Sequence, residues 1–247
     1  MFDLPGYIWL LVLTGVVGIP ATTVAVLYSG ARAAGVGRRR RGAAAVSLAV
    51  VWAGWLVASA LLARAGVYQQ ASGEIPWFFV AVAGTFGALL LATRIPVVRR
   101  ILAEPGMDAR LVLPHALRVV GVVFLIVMAL GHLPAGFALP AGLGDIAIGV
   151  TAPLVARRLA AGRGRSLAVR FHALGILDLL VAGAAGFLLL EFIDVTPTTV
   201  ALTLLPLALV PTTAVPLAIA LHVVALRRLL RPADAAAPVP ASAAAGA

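Results

Sequence analysis

The sequence predicts an all-α polytopic membrane protein with seven transmembrane helices, its N-terminus outside and its C-terminus in the cytoplasm. Composition, long apolar segments and the positions of the arginines lead to this prediction. Hydrophobic residues make up 62% of the 247-residue chain and charged residues 11%, with a mean hydropathy of +1.09. Soluble domains are about half apolar and a quarter charged. Such an excess of apolar side chains is typical of a protein whose solvent is lipid.

Seven apolar segments are long enough to cross a bilayer, which takes about 20 residues in a helix. They cover residues 7–29, 43–64, 76–97, 111–134, 137–156, 169–191 and 199–226. Residues 1–231 are therefore predicted to form one transmembrane domain. Residues 232–247 are rich in alanine and proline and hold one charge, so we expect them to form a disordered cytoplasmic tail.

The arginines predict the orientation, because basic residues near the ends of spans mark the cytoplasmic side. The first, third and fifth connections and the C-terminal end hold Arg32, Arg38, Arg39, Arg40, Arg41, Arg99, Arg100, Arg110, Arg157, Arg158, Arg163, Arg165, Arg170, Arg227, Arg228 and Arg231. The other three connections hold only Arg64, at an edge. Aromatic residues predicted at outer helix ends, in the headgroup layer, are Tyr7, Trp9, Tyr68, Trp77, Phe78 and Phe79.

Composition also excludes several kinds of chemistry. The chain has no cysteine and no lysine, so it has no disulfide, no thiolate metal site, no lysine Schiff base and no P-loop. The net charge of +10 follows the alternating connections, which argues against nucleic acid as a partner. We expect the lipid bilayer to be the partner instead, with anionic lipids at the cytoplasmic face.

Charged residues inside the fourth, fifth and sixth segments are the first candidates for a functional site, because each costs a few kcal/mol at the bilayer centre unless it is paired or solvated. Asp145 and Asp178 each share a helix face with small residues, so both are predicted to face other helices. At a rise of about 1.5 Å per residue, Arg118 and Asp178 lie at depths that the long arginine side chain can bridge, so we predict that they pair. Asp145 is predicted to lie nearer the outer side than Arg118, too far away for a direct pair. The titratable residue predicted at a similar depth is His132.

Three further histidines, His115, His172 and His222, are predicted at a similar level near the inner ends of three helices. They could bond to headgroups or loop carbonyls. Alternatively, they could form a metal or haem site, with two of them as axial ligands of haem b in a redox protein. Otherwise we predict no cofactor. His132 alone lies on the outer side, so the layout of a two-haem transmembrane electron carrier is missing.

The seventh segment contains Pro206, Pro211 and Pro216, with Thr212 and Thr213 between the last two. Each proline lacks an N–H and frees a carbonyl one turn back. A helix interrupted in this way could line a polar cavity, as in many transporters. It could also be a packed, kinked helix whose free carbonyls accept bonds from threonine hydroxyls.

Residues 133–153, LPAGFALPAGLGDIAIGVTAP, resemble uncharacterised bacterial multi-pass membrane proteins with seven helices, and the resemblance extends more loosely through the last two segments. It implies the plasma membrane of a bacterium and brings no activity with it. HExxH, GxSxG and GxGxxG are absent and no catalytic residue is predicted, so we lean against an enzyme. The residues favour a small-solute or proton-linked transporter using intramembrane carboxylates. A haem protein and a non-catalytic scaffold or accessory subunit are the alternatives.

Overall fold

The computed structural model of the chain describes residues 4–69 and 75–231, and every regular element within these residues is helical. The α-helices are α1 (Gly6–Ala33), α2 (Arg38–Arg64), α3 (Trp77–Ala92), α4 (Pro96–Ala103), α5 (Met107–Arg110), α6 (Val122–Ala129), α7 (Ala135–Ala160), α8 (Arg165–Glu191) and α9 (Val215–Leu229). Leu113–Gly121 and Thr199–Thr203 are 3₁₀ helices, and Val210–Ala214 is a π-helical turn. The predicted tail, residues 232–247, lies outside the described residues.

Within the described residues, six helical segments are long and apolar enough to cross a membrane, judged by length and composition. They are α1, α2, Met107–Ala129, α7, α8 and Val210–Leu229. Counting α3 with α4 as one span gives seven, although these two helices are bent by 76°. The all-helical class is therefore confirmed, together with six or seven segments apolar enough to span a membrane, whereas the exact number of spans and their orientation stay predictions.

The bend between α3 and α4 breaks the predicted segment 76–97. Pro96 opens α4 and holds the preceding Ile95 in an extended conformation, with φ −60° and ψ 128°. A residue before proline is disfavoured in the helical region, so α3 ends ahead of it. The 16 residues of α3 extend about 24 Å. This is less than the roughly 30 Å of a bilayer's hydrocarbon core.

The fourth span, Met107–Ala129, is built from three helical pieces, and its middle piece is the 3₁₀ helix Leu113–Gly121. It begins before the predicted start at residue 111. A 3₁₀ helix rises about 2.0 Å per residue instead of 1.5 Å, and side chains three residues apart eclipse each other. Arg118 therefore lies farther from the arginine-rich end than predicted, and it shares one side of the helix with His115.

The seventh predicted segment, 199–226, is two helical pieces separated by the extended residue Leu204 and a turn at residues 205–208. In the second piece, Pro216 has no N–H to bond to the carbonyl of Thr212. The Trp55 indole donates to that carbonyl at 3.1 Å, and the Thr85 hydroxyl donates to it at 3.4 Å. The buried Thr212 hydroxyl itself donates to the carbonyl of Ala208. The free carbonyl is therefore satisfied by packing, and Val210, Pro211 and Val215 of the same piece also line a mostly apolar cavity.

Helix α7 lies at the centre of the fold, against Leu113–Gly121 on one side and α8 on the other. Glycines permit this close approach. A Cβ on Gly149 would lie 2.5 Å from the backbone nitrogen of Val119, and one on Gly142 would lie 3.2 Å from the carbonyl oxygen of Gly121. The small-residue faces predicted to pack against other helices therefore do so, and they bring the charged residues of three spans together.

Candidate functional site

Arg118 is the centre of a buried polar site and is only 3% exposed. Its Nε donates to Oδ1 of Asp145 at 2.6 Å, and its Nη2 donates to Oδ2 of Asp178. Its Nη1 donates to Nε2 of His222 at 3.1 Å. Each nitrogen of the guanidinium therefore has a partner, and the partners come from α7, α8 and α9.

The predicted Arg118–Asp178 pair is present, but the prediction that Asp145 lies too far from Arg118 was wrong. The 3₁₀ geometry moves Arg118 toward Asp145, and the glycine contacts of α7 bring the two helices close. His132 is not the neighbour of Asp145. It lies half-buried in the turn before α7, and the helix from Ala135 to Asp145 extends about 15 Å.

The charged trio of Arg118, Asp145 and Asp178 has more negative than positive groups. With all three ionised its net charge is −1. The side chains of Asp145 and Asp178 are 15% and 14% exposed, so each keeps some access from outside the packed core. Another ion pair, Asp108–Arg228 at 2.7 Å, lies at the arginine-rich end of the bundle and is balanced.

His115, His172 and His222 are in mutual contact and fully buried. The rings of His115 and His222 stack with centroids 3.7 Å apart and planes 13° apart. Nδ1 of His172 lies 2.8 Å from Nδ1 of His222. His172 and His222 each lie seven residues inside their helix ends, which is about 10 Å. The histidines therefore contact one another rather than headgroups.

The hydrogen bonds fix the direction of donation along this cluster. A guanidinium can only donate, so Nε2 of His222 must accept from Arg118. A neutral His222 then carries its proton on Nδ1 and donates to Nδ1 of His172. His172 in turn carries its proton on Nε2. These tautomers are assigned from the bonding pattern.

Three ring nitrogens of the cluster are buried without a hydrogen-bond partner: Nδ1 and Nε2 of His115, and Nε2 of His172. Buried polar atoms in proteins are almost always satisfied by protein, water or an ion. The nitrogen atoms that the three histidines can offer as ligands lie within 4.8 Å of one another. Because His115 and His222 stack directly, no porphyrin fits between those two rings.

Two cavities adjoin the charged trio. The larger has a volume of ≈ 330 Å³ and is mostly apolar. Asp145 and Asp178 are the acidic residues in its wall, and its aromatic residues are Phe78, Phe79, Phe124, Phe137 and Phe187. The smaller cavity, of ≈ 40 Å³, lies beside α1 and touches Arg118 and Asp145. It has room for a few water molecules at about 10–15 Å³ each. Asp145 therefore lines both cavities.

The structure adds contacts to several aromatic residues that the sequence predicted at outer helix ends. Phe78 and Phe79, predicted in the headgroup layer, both line the larger cavity. Tyr68, also predicted there, is 4% exposed and lies 3.1 Å from the hydroxyl of Ser59. Helix α3 packs against α9, and this packing turns the aromatic residues inward. The periodicity of a single helix does not show which other helix it contacts.

Fold and site together define an all-helical protein with segments apolar enough to span a membrane and a buried arginine–carboxylate–histidine centre. The chain belongs to a family described as a domain of unknown function (DUF8737), whose model matches residues 75–230. That region includes α3 to α9 and every residue of the polar centre, whereas α1 and α2 precede it. No curated protein and no solved structure matches the chain.

Proposed function

We propose that this protein is a membrane transporter for a small cationic solute or for protons, with Asp145 and Asp178 as the binding groups. One observation carries the proposal: both carboxylates share the single guanidinium of Arg118 and both line the ≈ 330 Å³ cavity. Intramembrane carboxylates are costly, and they commonly mark ion and proton pathways.

The charge balance favours a cation over an anion. Arg118 neutralises one of the two carboxylates, so a bound cation or a proton would complete the neutralisation. The mostly apolar and aromatic wall suits a solute with an apolar body, and an aromatic ring face also attracts cations. Among the described residues, the charged group in contact with these carboxylates is Arg118, which also bonds to His222.

The proposed setting is the plasma membrane of a bacterium, with the arginine-rich connections at the cytoplasmic face and anionic lipids around them. In this orientation the aromatic residues at the start of α3 lie toward the outside. The cavity would then extend from that side to the carboxylates near the middle of α7 and α8. Protons or solute would reach the carboxylates by this route.

Transport can be measured with the full chain in liposomes. Proton flux is followed with an enclosed pH-sensitive dye, and cation movement is followed by the fluorescence of ethidium as probe, both under an imposed pH gradient. We expect the parent protein to accelerate at least one of these fluxes over empty liposomes. Asp145→Asn and Asp178→Asn should each remove most of the acceleration, because the surplus negative charge is lost.

Asp108→Asn is the matched control, since it makes the same change in an ion pair at the end of the bundle. It should retain the parent's flux. Equal fluxes in the parent and in empty liposomes would contradict the proposal and favour the scaffold alternative. So would Asp145→Asn and Asp178→Asn variants that transport as fast as the parent.

A further inference from the structure

The histidine cluster has more nitrogen lone pairs than the protein uses. His115, His172 and His222 are each fully buried, and three of their six ring nitrogens have no hydrogen-bond partner. Both nitrogens of His115 are among these three. A neutral imidazole always leaves one nitrogen with a lone pair that can accept a proton or bind a metal.

We propose that His115, His172 and His222 form a binding site for a transition-metal ion of the kind that prefers imidazole ligands, with Zn²⁺ as the test ion. Imidazole is a good ligand for zinc, copper, iron and nickel. The site goes beyond the proposed transport function. Metal binding and transport use different side chains, so either proposal can fail while the other stands.

The distances suit such a site. Three nitrogens at 2.0–2.1 Å from a tetrahedral Zn²⁺ lie about 3.3 Å from one another. The Nδ1 atoms of His172 and His222 are 2.8 Å apart, and the third ligand atom lies within 4.8 Å of them. Movements of about 0.5 to 1.5 Å at the nitrogens produce the required spacing, and the stacked rings of His115 and His222 must also turn so that their lone pairs converge on the ion. Three histidines with an open fourth position are a common zinc arrangement.

Binding requires one exchange of hydrogen bonds and no loss of a proton. His222 now carries its proton on Nδ1, facing His172. If that proton moves to Nε2, the Nδ1 lone pair becomes free for the metal, and the bond from Arg118 to Nε2 is released. Arg118 keeps its two carboxylates. Metal binding therefore leaves the guanidinium paired with both carboxylates, whereas Nη1 must turn away from the protonated Nε2 of His222.

Charge also permits a cation at this position. The three imidazoles are neutral, and the neighbouring trio of Arg118, Asp145 and Asp178 is −1 when all its groups are ionised. The carboxylates therefore offset part of the metal's charge in a region where an uncompensated ion is costly. Because the ligands come from Leu113–Gly121, α8 and α9, the bound ion would tie three segments together.

The test uses the full chain, purified in detergent, stripped with a chelator and then incubated with Zn²⁺ alone. After dialysis, metal per chain is measured by mass spectrometry, and Co²⁺ is used in parallel because its visible absorption reports tetrahedral nitrogen ligation. We expect one Zn²⁺ per chain, a visible Co²⁺ band and a higher melting temperature with Zn²⁺. His115→Ala, His172→Ala and His222→Ala should each lose most of the bound metal and the band.

His132→Ala is the matched control, because His132 belongs to the same chain but lies in the turn before α7. It should bind Zn²⁺ like the parent. The proposal is overturned if the unmodified chain retains no Zn²⁺ and its melting temperature does not rise. It is also overturned if folded cluster variants, checked by size-exclusion chromatography, still bind as the parent does, or if His132→Ala loses as much metal as they do.

Discussion

Arg118 holds the polar site together because its three nitrogens bond to three different helices. Each of these bonds replaces contact with water that a buried guanidinium has lost. Replacing one partner of a buried ion pair leaves a charge without compensation, and this loss exceeds the net value of the pair itself. The consequence of a substitution therefore depends on what charge remains.

Arg118→Gln is expected to be the most harmful single change in the trio. It leaves Asp145 and Asp178 without a cation in the interior, which typically costs about 3–5 kcal/mol. Thermal melts in detergent should show a large fall in melting temperature. Asp145→Asn should fold and melt much like the parent, because the amide oxygen can still accept from Arg118 and a balanced Arg118–Asp178 pair remains.

The combined variant provides the control for this ordering. Replacing all three residues with apolar residues of similar volume should cost less than Arg118→Gln alone, since no charge is left buried. If the effects of the three changes simply add, the residues do not compensate one another. A melting temperature of Asp145→Asn as low as that of Arg118→Gln would make Asp145 a structural residue.

At the scale of elements, the distance between α7 and its neighbours decides where the carboxylates lie. A Cβ on Gly144 would collide with the carboxylate of Asp178, and one on Gly121 would collide with Asp145. The trio therefore depends on glycines that carry no charge themselves. In the sequence, these glycines are recognised only as small residues on a helix face, and their contacts with the carboxylates are not visible there.

Gly144→Ala is expected to disturb the site without changing any charge. The added methyl group must displace Asp178, and overpacking of this kind typically costs about 1–3 kcal/mol. The melting temperature and the flux in liposomes should both fall. Gly87→Ala in α3 is the control, because its Cβ would meet nothing within 4 Å. A Gly144→Ala variant that behaves like Gly87→Ala would contradict the close packing of Gly144 against Asp178.

The hydrogen bond from Trp55 to the Thr212 carbonyl can be tested together with Pro216, because the missing N–H of Pro216 leaves that carbonyl without its helical partner. Trp55→Phe removes one donor and should cost about 1 kcal/mol. In a Pro216→Ala background the new N–H can donate to the same carbonyl, so Trp55→Phe should cost less there. Unfolding of the four proteins of this cycle in detergent gives the coupling. Equal costs in both backgrounds would show that the two donors do not substitute for each other.

At the scale of the whole molecule, large apolar side chains cover much of the outside of the described helices. Val51 on α2 is 70% exposed, Leu143 on α7 is 55% exposed and Leu174 on α8 is 58% exposed. Water would oppose such a surface over so many helices, whereas lipid chains accept it. The polar groups of the site are buried inside this apolar exterior.

The predicted orientation can be tested with single cysteines, because the natural chain has none. Gly37→Cys and Ala161→Cys in arginine-rich connections should be protected from an impermeant thiol reagent in intact cells. Ala135→Cys and Asp194→Cys should be labelled. All four positions are exposed. Labelling of Ala161→Cys from outside would reverse the predicted orientation, and permeabilised cells provide the control for reactivity.

The sequence predicted much of the fold and one pair in the site. The helical class and the long apolar segments follow from composition and period, and the Arg118–Asp178 pair followed from depth. The bend before Pro96 and the 3₁₀ geometry of Leu113–Gly121 were not predicted. The prediction assumed a rise of 1.5 Å per residue throughout and did not include the close approach of α7 to Leu113–Gly121, and for both reasons it excluded Asp145 from the pair.

What the sequence determined by itself is the apolar, helical character of the long segments and the inward direction of their charged residues, because the hydrophobic effect and the cost of buried charge act on each segment separately. Only the tertiary structure decided that one guanidinium serves both Asp145 and Asp178, and that His115, His172 and His222 meet. These contacts depend on how closely separate helices approach. That distance is set by glycines and by local helix geometry on both sides of each interface. The sequence of one segment therefore does not determine it.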